Sequence, residues 1–455
     1  MYYLGLNITN STIKVALANV HSGIKVNTFE APSKGIKSFE NEKDGFDDEG
    51  FWLVVCSAIK NLIKDSKIDT DKISGIGISY DSEVLALFNL SHQKTKQLVA
   101  FKSLSLSDIK WLSENDQNKY HQIDKIILLG DFIAYKFTHT ISTTKDGLVT
   151  LGLWHCDKDT WDKSALHRYQ IKKSMIPTVV ENFKNHGLVT PSASQDTGIP
   201  VGTPILFRAA HQASTALAIN VLNHGEIAIS TQSPTRIYAL TNASNPNQNL
   251  KIDHELPIGK SMIFKGGYLK YEWLKKQFKE NSYEIMNRKA SEISIGAEGV
   301  TVFPFGNGKE QMLKNINIGT VIKGVNLKNH SKAHLFRATL EGIAFAMVYG
   351  IENLKTNKTE FHTINAVNDM LFQSEVFVNT LTSLVELKIT TYNTDMAVNA
   401  ARACSLNLGD FKKYQDIIYE NDHAQTFELL KNREPYVEAY QHWKNELKII
   451  LKNHL

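Results

Sequence analysis

Two distant stretches of the chain read alike: "YLGLNITNSTIKVALANV" from Tyr3 and "GEIAISTQSPTRIYAL" from Gly225. Each has an apolar run, a break rich in Ser, Thr and Asn or Gln, and a second apolar run. That pattern predicts strand, polar turn, strand. A chain that repeats this opening calls for two α/β domains, each built on its own mixed sheet. The repeat puts the boundary near Val221–Gly225, and we expect domains at 1–222 and 223–455. A length of 455 residues suits two domains of ordinary size.

The segments between fit this reading. "GFWLVVCSAIKNLIKDSK", "IDKIILLGDFIAYKFTHT", "AHLFRATLEGIAFAMVYGIENLK", "MAVNAARACSLNL" and the closing "PYVEAYQHWKNELKIILKNHL" carry apolar residues at helical spacing. "ISGIGISYDSEVLALFNLSHQ", "FHTINAV" and "LVELKITTY" read as strands. The net charge of +4 comes without a Lys/Arg block, so nucleic acid is not expected as a partner. Three cysteines, far apart, point to a reduced, cytoplasmic protein. No signal peptide and no apolar run long enough for a bilayer is read, so no membrane association is expected.

Several short motifs invite chemistry. "GKS" at 259–261 lacks the leading Gly of a phosphate loop, since His254 stands at that place, and it reads as a surface turn. His330 and His334 form an HxxxH pair without an adjacent Glu or a visible third ligand. They read as capping and packing residues, and no metal site is assigned. "FGNGKE" at 305–310 reads as a loop. Asp81 and Glu83 face one side if extended, where paired carboxylates could do acid–base work or lie solvated in a turn. "FRAAHQASTALAIN" places His211 where a strand gives way to a small-residue helix, a common seat for a reactive group.

Taken in order, "GDFIAYKFT" (130–138), "GLWHCDKDTWDKSAL" (152–166), "GIPVGTPIL" (198–206), "GGYLKYEW" (266–273) and "HLFRATLEGIAFAMVYGIENL" (334–354) resemble the FGGY family of carbohydrate kinases, of xylulokinase or rhamnulokinase type. The resemblance spans nearly the whole chain. It implies an α/β fold of two ribonuclease-H-like domains of the actin type. Mg-ATP would lie in the cleft between them, with a sugar at its base.

The stretches that carry the family's chemistry differ. Where the family opens with Asp-x-Gly-Thr-Ser, this chain has Asn7, Ile8, Thr9, Asn10 and Ser11. Asn lacks the charge for a hard cation, and Thr9 adds bulk where bare backbone should face phosphate. In the second turn Gln232 and Ser233 stand for Gly-Thr, followed by Pro234, which has no N–H. The adenine-side glycines become Asn365 and Ala366, and a helix Gly becomes Asn399. On the sugar side the family's motifs become Asp81, Ser82, Glu83 and Phe101, Lys102, Ser103. The family's catalytic Asp, the base for the sugar hydroxyl, becomes His211.

These replacements lead us to expect a pseudokinase that is inactive or nearly so and binds a small molecule or a partner. His211 would stand in the catalytic place, and Asp81, Glu83, Lys102 and Ser103 would be substrate-side residues. The degenerate nucleotide set would be Asn7, Thr9, Asn10, Gln232, Ser233, Asn365, Ala366 and Asn399. No cofactor is expected. The alternative is an active ATP-dependent sugar kinase with a rearranged site and Mg-ATP as cofactor. The expected ligand is small, polar or sugar-like, and a homodimer is left open.

Overall fold

The computed structural model describes residues 1–9, 11–32, 48–81, 85–89, 97–102, 106–155, 158–232, 234–240, 259–306, 308–355 and 360–454. Along the chain these include β1 (Tyr2–Ile8), β2 (Thr12–Asn19), β3 (Lys25–Pro32), α1 (Asp48–Ser66) and β4 (Ile73–Tyr80). Then come α2 (Leu129–Thr138), α3 (Lys145–Thr150), β5 (Ile205–Ala210), α4 (His211–Ala218), β6 (Glu226–Ser230), β7 (Thr235–Ala239) and β8 (Lys260–Phe264). The last are α5 (Lys332–Leu354), β9 (Thr363–Val367), β10 (Ile389–Tyr392), α6 (Met396–Ala403), β11 (His423–Phe427) and α7 (Glu434–Lys452).

The repeat in the sequence is a repeat in topology. One sheet runs β5-β4-β1-β2-β3 and the other β8-β7-β6-β9-β10-β11. In each, the opening hairpin is antiparallel, and its first strand pairs in parallel with a later strand. Each sheet adds a further parallel strand beyond that one, β5 or β10. Parallel strands covered on both faces commonly carry near-continuous apolar runs. β4 is buried along both faces although its apolar run is broken: Gly75, Gly77 and Ser79 alternate with Ile76, Ile78 and Tyr80, and Ser79 is as fully buried as those three. Two ribonuclease-H-like α/β units result.

The chain divides by contacts into two compact units. Among the described residues, one holds Met1–Ala218 and Asp395–Asn421, and the other Ile219–Leu240, Gly259–Thr394 and Asp422 onward. Helix α6, late in the sequence, therefore packs in the first unit. Gly5 on β1 and Gly77 on β4 explain how. A Cβ on Gly5 would lie 1.9 Å from the Ala397 carbonyl oxygen, and one on Gly77 1.9 Å from that of Ala400. Only bare backbone lets the helix settle this close to the sheet.

Some local expectations need correction. "GKS" is not a surface turn: Gly259 is buried, its N–H donates to Tyr238 Oη at 2.8 Å, and Lys260 and Ser261 lie on β8. The helix expected over "IDKIILLGDFIAYKFTHT" begins as a strand, Lys125–Leu128, before α2. The β-branched pair Ile126–Ile127 suits that strand better than a helix. In "LVELKITTY" the strand is confined to Ile389–Tyr392, because the helix Glu375–Val385 runs into its start. His334 does cap: the Ser331 N–H donates to its Nδ1 at 3.1 Å in a capping box that opens α5.

Candidate functional site

The carboxyl ends of β1, β4 and β5 finish side by side. Ile8 pairs with Tyr80, and Tyr80 with Ala210. The next residue after β4 is Asp81, whose N–H donates to the Ile8 carbonyl at 2.8 Å. The residue after β5 is His211, the first of α4. Asp81 and His211 thus follow paired register positions, and each is half-buried. In parallel α/β sheets this edge is the place where ligands bind.

A buried polar cluster fixes the β5–α4 corner. The Asp146 carboxylate on α3 accepts the Ala210 N–H at 2.7 Å and an Asn182 Nδ2 hydrogen bond at 2.6 Å. Asn182 Nδ2 also donates to the Arg208 carbonyl at 2.9 Å. Arg208 is fully buried, with Nε 3.3 Å from Asp131 Oδ1, and its Nη2 donates to Ser142 Oγ at 3.1 Å. Asp131 in turn accepts the Leu128 N–H at 3.1 Å. Burial pushes both carboxyls above the ordinary range, and the Arg208 charge opposes that push. Removing one partner from such a set costs about 3–5 kcal/mol, because the remaining charge is stranded. The last N–H before His211 is therefore held by a rigid carboxylate. Sequence reading missed Asp146, Asn182 and Arg208, since no motif joins residues from α3, a loop and β5.

The β1–β2 turn closes on its own side chain. Thr9 Oγ1 accepts the N–H of Thr12 at 3.0 Å and that of Ser11 at 3.3 Å. It also lies 3.1 Å from Thr12 Oγ1. Asn7 sits on β1 between Lys14 of β2 and Ser79 of β4, and its Oδ1 is buried without a hydrogen bond. Lys14 is paired with Asp395 at 2.9 Å.

The matching turn in the other unit follows β6 and is closed by a different group. The Thr231 N–H donates to Asp369 Oδ2 at 2.9 Å, and the Thr231 hydroxyl donates to Asp369 Oδ1. Asp369 lies just beyond β9, which pairs in parallel with β6. Burial pushes its carboxyl up, against the pull of the Thr231 bonds. Gln232 is exposed and Pro234 half-buried. Asp369 was not legible in the sequence, because its partner Thr231 lies in a separate segment.

The other expected nucleotide residues have internal tasks. Asn365 is buried on β9 and donates from Nδ2 to the carbonyls of Ile219 at 2.9 Å and Asn220 at 3.0 Å. Ala366 is fully buried beside it. Asn399 is buried on α6, where its Nδ2 donates to the Asp395 carbonyl at 3.1 Å and its Oδ1 accepts from Arg402 at 3.4 Å. Asn399 thus belongs to the first unit, apart from Asn365 and Ala366 in the second. Glu83, Ser103, Asn10 and Ser233 lie outside the described residues, and of Lys102 only the backbone, at the end of the strand Gln97–Lys102, is described.

Residues 88–218 match the profile of the N-terminal domain of the FGGY family of carbohydrate kinases. The chain is 20% identical over 430 residues to a probable L-xylulose kinase of Haemophilus influenzae, covering 85% of this chain and 86% of that protein. It is 20% identical to the xylulose kinase of Bacillus subtilis, with 98% and 96% covered. A solved structure of ligand-bound xylulose kinase from Lactobacillus acidophilus superposes with a TM-score of 0.85 at 16% identity, covering 100% and 99%. The chain is a homologue of the FGGY carbohydrate kinases. The same fold recurs in gluconate kinase from Lactobacillus acidophilus, TM-score 0.83 at 16% identity, with 100% and 99% covered. Among the described residues no helix of this FGGY homologue is long and apolar enough to cross a membrane.

Proposed function

We propose that this FGGY homologue has lost most or all phosphoryl transfer and works as a binding protein for a small, polar, sugar-like molecule. The observation that carries the reading is Thr9: its hydroxyl takes the turn N–H groups that a phosphate would otherwise accept from. Two further features support it. Asn7 offers an amide where magnesium favours a carboxylate. At the second turn the Asp369 carboxylate holds the Thr231 donors and sets a negative group where a phosphate would need a positive one. These residues do not fit Mg-ATP in the family's manner.

Asp81 and His211 at the paired strand ends would orient the ligand, and the resemblance adds Glu83, Lys102 and Ser103 as further substrate-side residues. An imidazole at position 211 is larger than the family's Asp and brings no carboxylate to take the sugar hydroxyl's proton. Loss of a well-placed base alone would cost roughly 10²- to 10⁴-fold in rate. Loss of charge stabilisation around the phosphates would add to that, since phosphoryl transfer depends on it most.

The names of the relatives favour a second reading, an active ATP-dependent sugar kinase with His211 as base. An ADP-release assay over xylulose, gluconate, glycerol and a panel of other sugars separates the two. The proposal expects background rates for the wild type and for His211→Asp. Turnover by the wild type that disappears in His211→Ala would establish the second reading.

A further inference from the structure

The HxxxH pair meets a third group that the sequence does not reveal. His334 stands in the first turn of α5, and His330 folds over it with ring centroids 4.9 Å apart. His334 Nε2 lies 3.3 Å from Glu298 Oε2, out of line for a hydrogen bond. One ligand atom each from Glu298, His330 and His334 falls within 4.8 Å of the others. The His334 side chain is only 8% exposed, and its Nε2 is buried with no hydrogen bond. A buried ring nitrogen in that condition calls for a partner. We propose that Glu298, His330 and His334 bind one divalent cation of the zinc class.

The donor set selects the metal class. Two imidazoles and one carboxylate suit zinc, whereas magnesium and calcium favour oxygen. Three protein ligands leave a fourth position for water. The ring nitrogens can take the required roles. His334 Nδ1 lies 3.2 Å from Ser331 Oγ, which can accept its proton when Nε2 ligates; the Ser331 N–H bond that Nδ1 accepts in the metal-free protein is then given up. That is the outer-shell partner a zinc histidine needs. His330 Nδ1 accepts the exposed Asn326 N–H at 2.9 Å. Ligation through Nε2 gives up that bond, and water replaces it. Bonds of about 2.0–2.2 Å bring zinc ligands closer together than this spread. The closure falls to Glu298, 52% exposed in its side chain, and to half-buried His330. All three residues lie in the second unit, so the ion would tie the start of α5 to the turn at Glu298.

The test uses the full chain, stripped of metal by chelation and titrated calorimetrically with zinc chloride, with magnesium chloride as control. Thermal unfolding is followed alongside. One equivalent of zinc is expected to bind and raise Tm, with no such response to magnesium. Glu298→Gln and His330→Ala are each expected to weaken zinc at least about tenfold while leaving the metal-free Tm nearly unchanged. These two variants carry the test, because His334→Ala also removes a helix cap. No zinc uptake by the wild type, equal uptake of magnesium, or zinc uptake unaffected by both variants would overturn the site.

Discussion

His186 shows how one residue can set a pH limit on this molecule. It is buried, and its Nε2 bonds to the Glu181 carbonyl at 2.7 Å. Burial, helped by the nearby Arg208 charge, pushes its pKa down to about 3. In the unfolded chain the ring titrates near its ordinary value of about 6.5. Between those values the unfolded state binds a proton that the folded state refuses, so stability is present above pH 6.5 and falls as pH drops toward 3. The full difference is on the order of 5 kcal/mol. Asp131 and Asp146, with raised folded values, act in the opposite direction. Urea melts of wild type and His186→Gln from pH 7 to pH 4 isolate the histidine: the wild type should lose more stability on acidification than the variant. Parallel pH profiles would remove His186 from this role.

Among the elements, the two hairpins and the α5 helix were legible in the sequence because their apolar period is regular and their partners are local. Helix α6 was legible as a helix, but not its place against β1 and β4. What fixes that place is bare backbone at Gly5 and Gly77, and a glycine in a strand signals close approach without naming what approaches. The close packing gives a clear expectation. Gly77→Ala drives a Cβ into the Ala400 carbonyl and should cost about 2 kcal/mol or more in chemical denaturation. Gly350→Ala on α5 serves as control. The nearest atoms to its new Cβ would be side-chain carbons of Ile237, Met312 and Met262 at 3.3–3.5 Å, and alanine favours helix, so its cost should stay within about 1 kcal/mol. Equal effects at both positions would mean that α6 does not rest on β4 in this manner.

At the scale of the whole molecule, the fold follows from a repeated pattern that any strand–turn–strand reading can find. The strand-end position of His211 was readable for the same reason, since α4 starts where the apolar run of β5 stops. The groups that close the two turns were only half readable. Thr9 acts on its own turn and could be suspected from its place. Asp369, Asp146 and Asn182 act across separate segments, and a hydrogen bond between distant residues leaves no period in the sequence. The proposal that phosphoryl transfer is lost rests on those closed turns, and it makes nucleotide binding the quantity to measure. Calorimetric titration of the full chain with Mg-ATP is the most direct test. The account predicts no binding heat at sub-millimolar nucleotide, with or without xylulose present. A micromolar dissociation constant would contradict it.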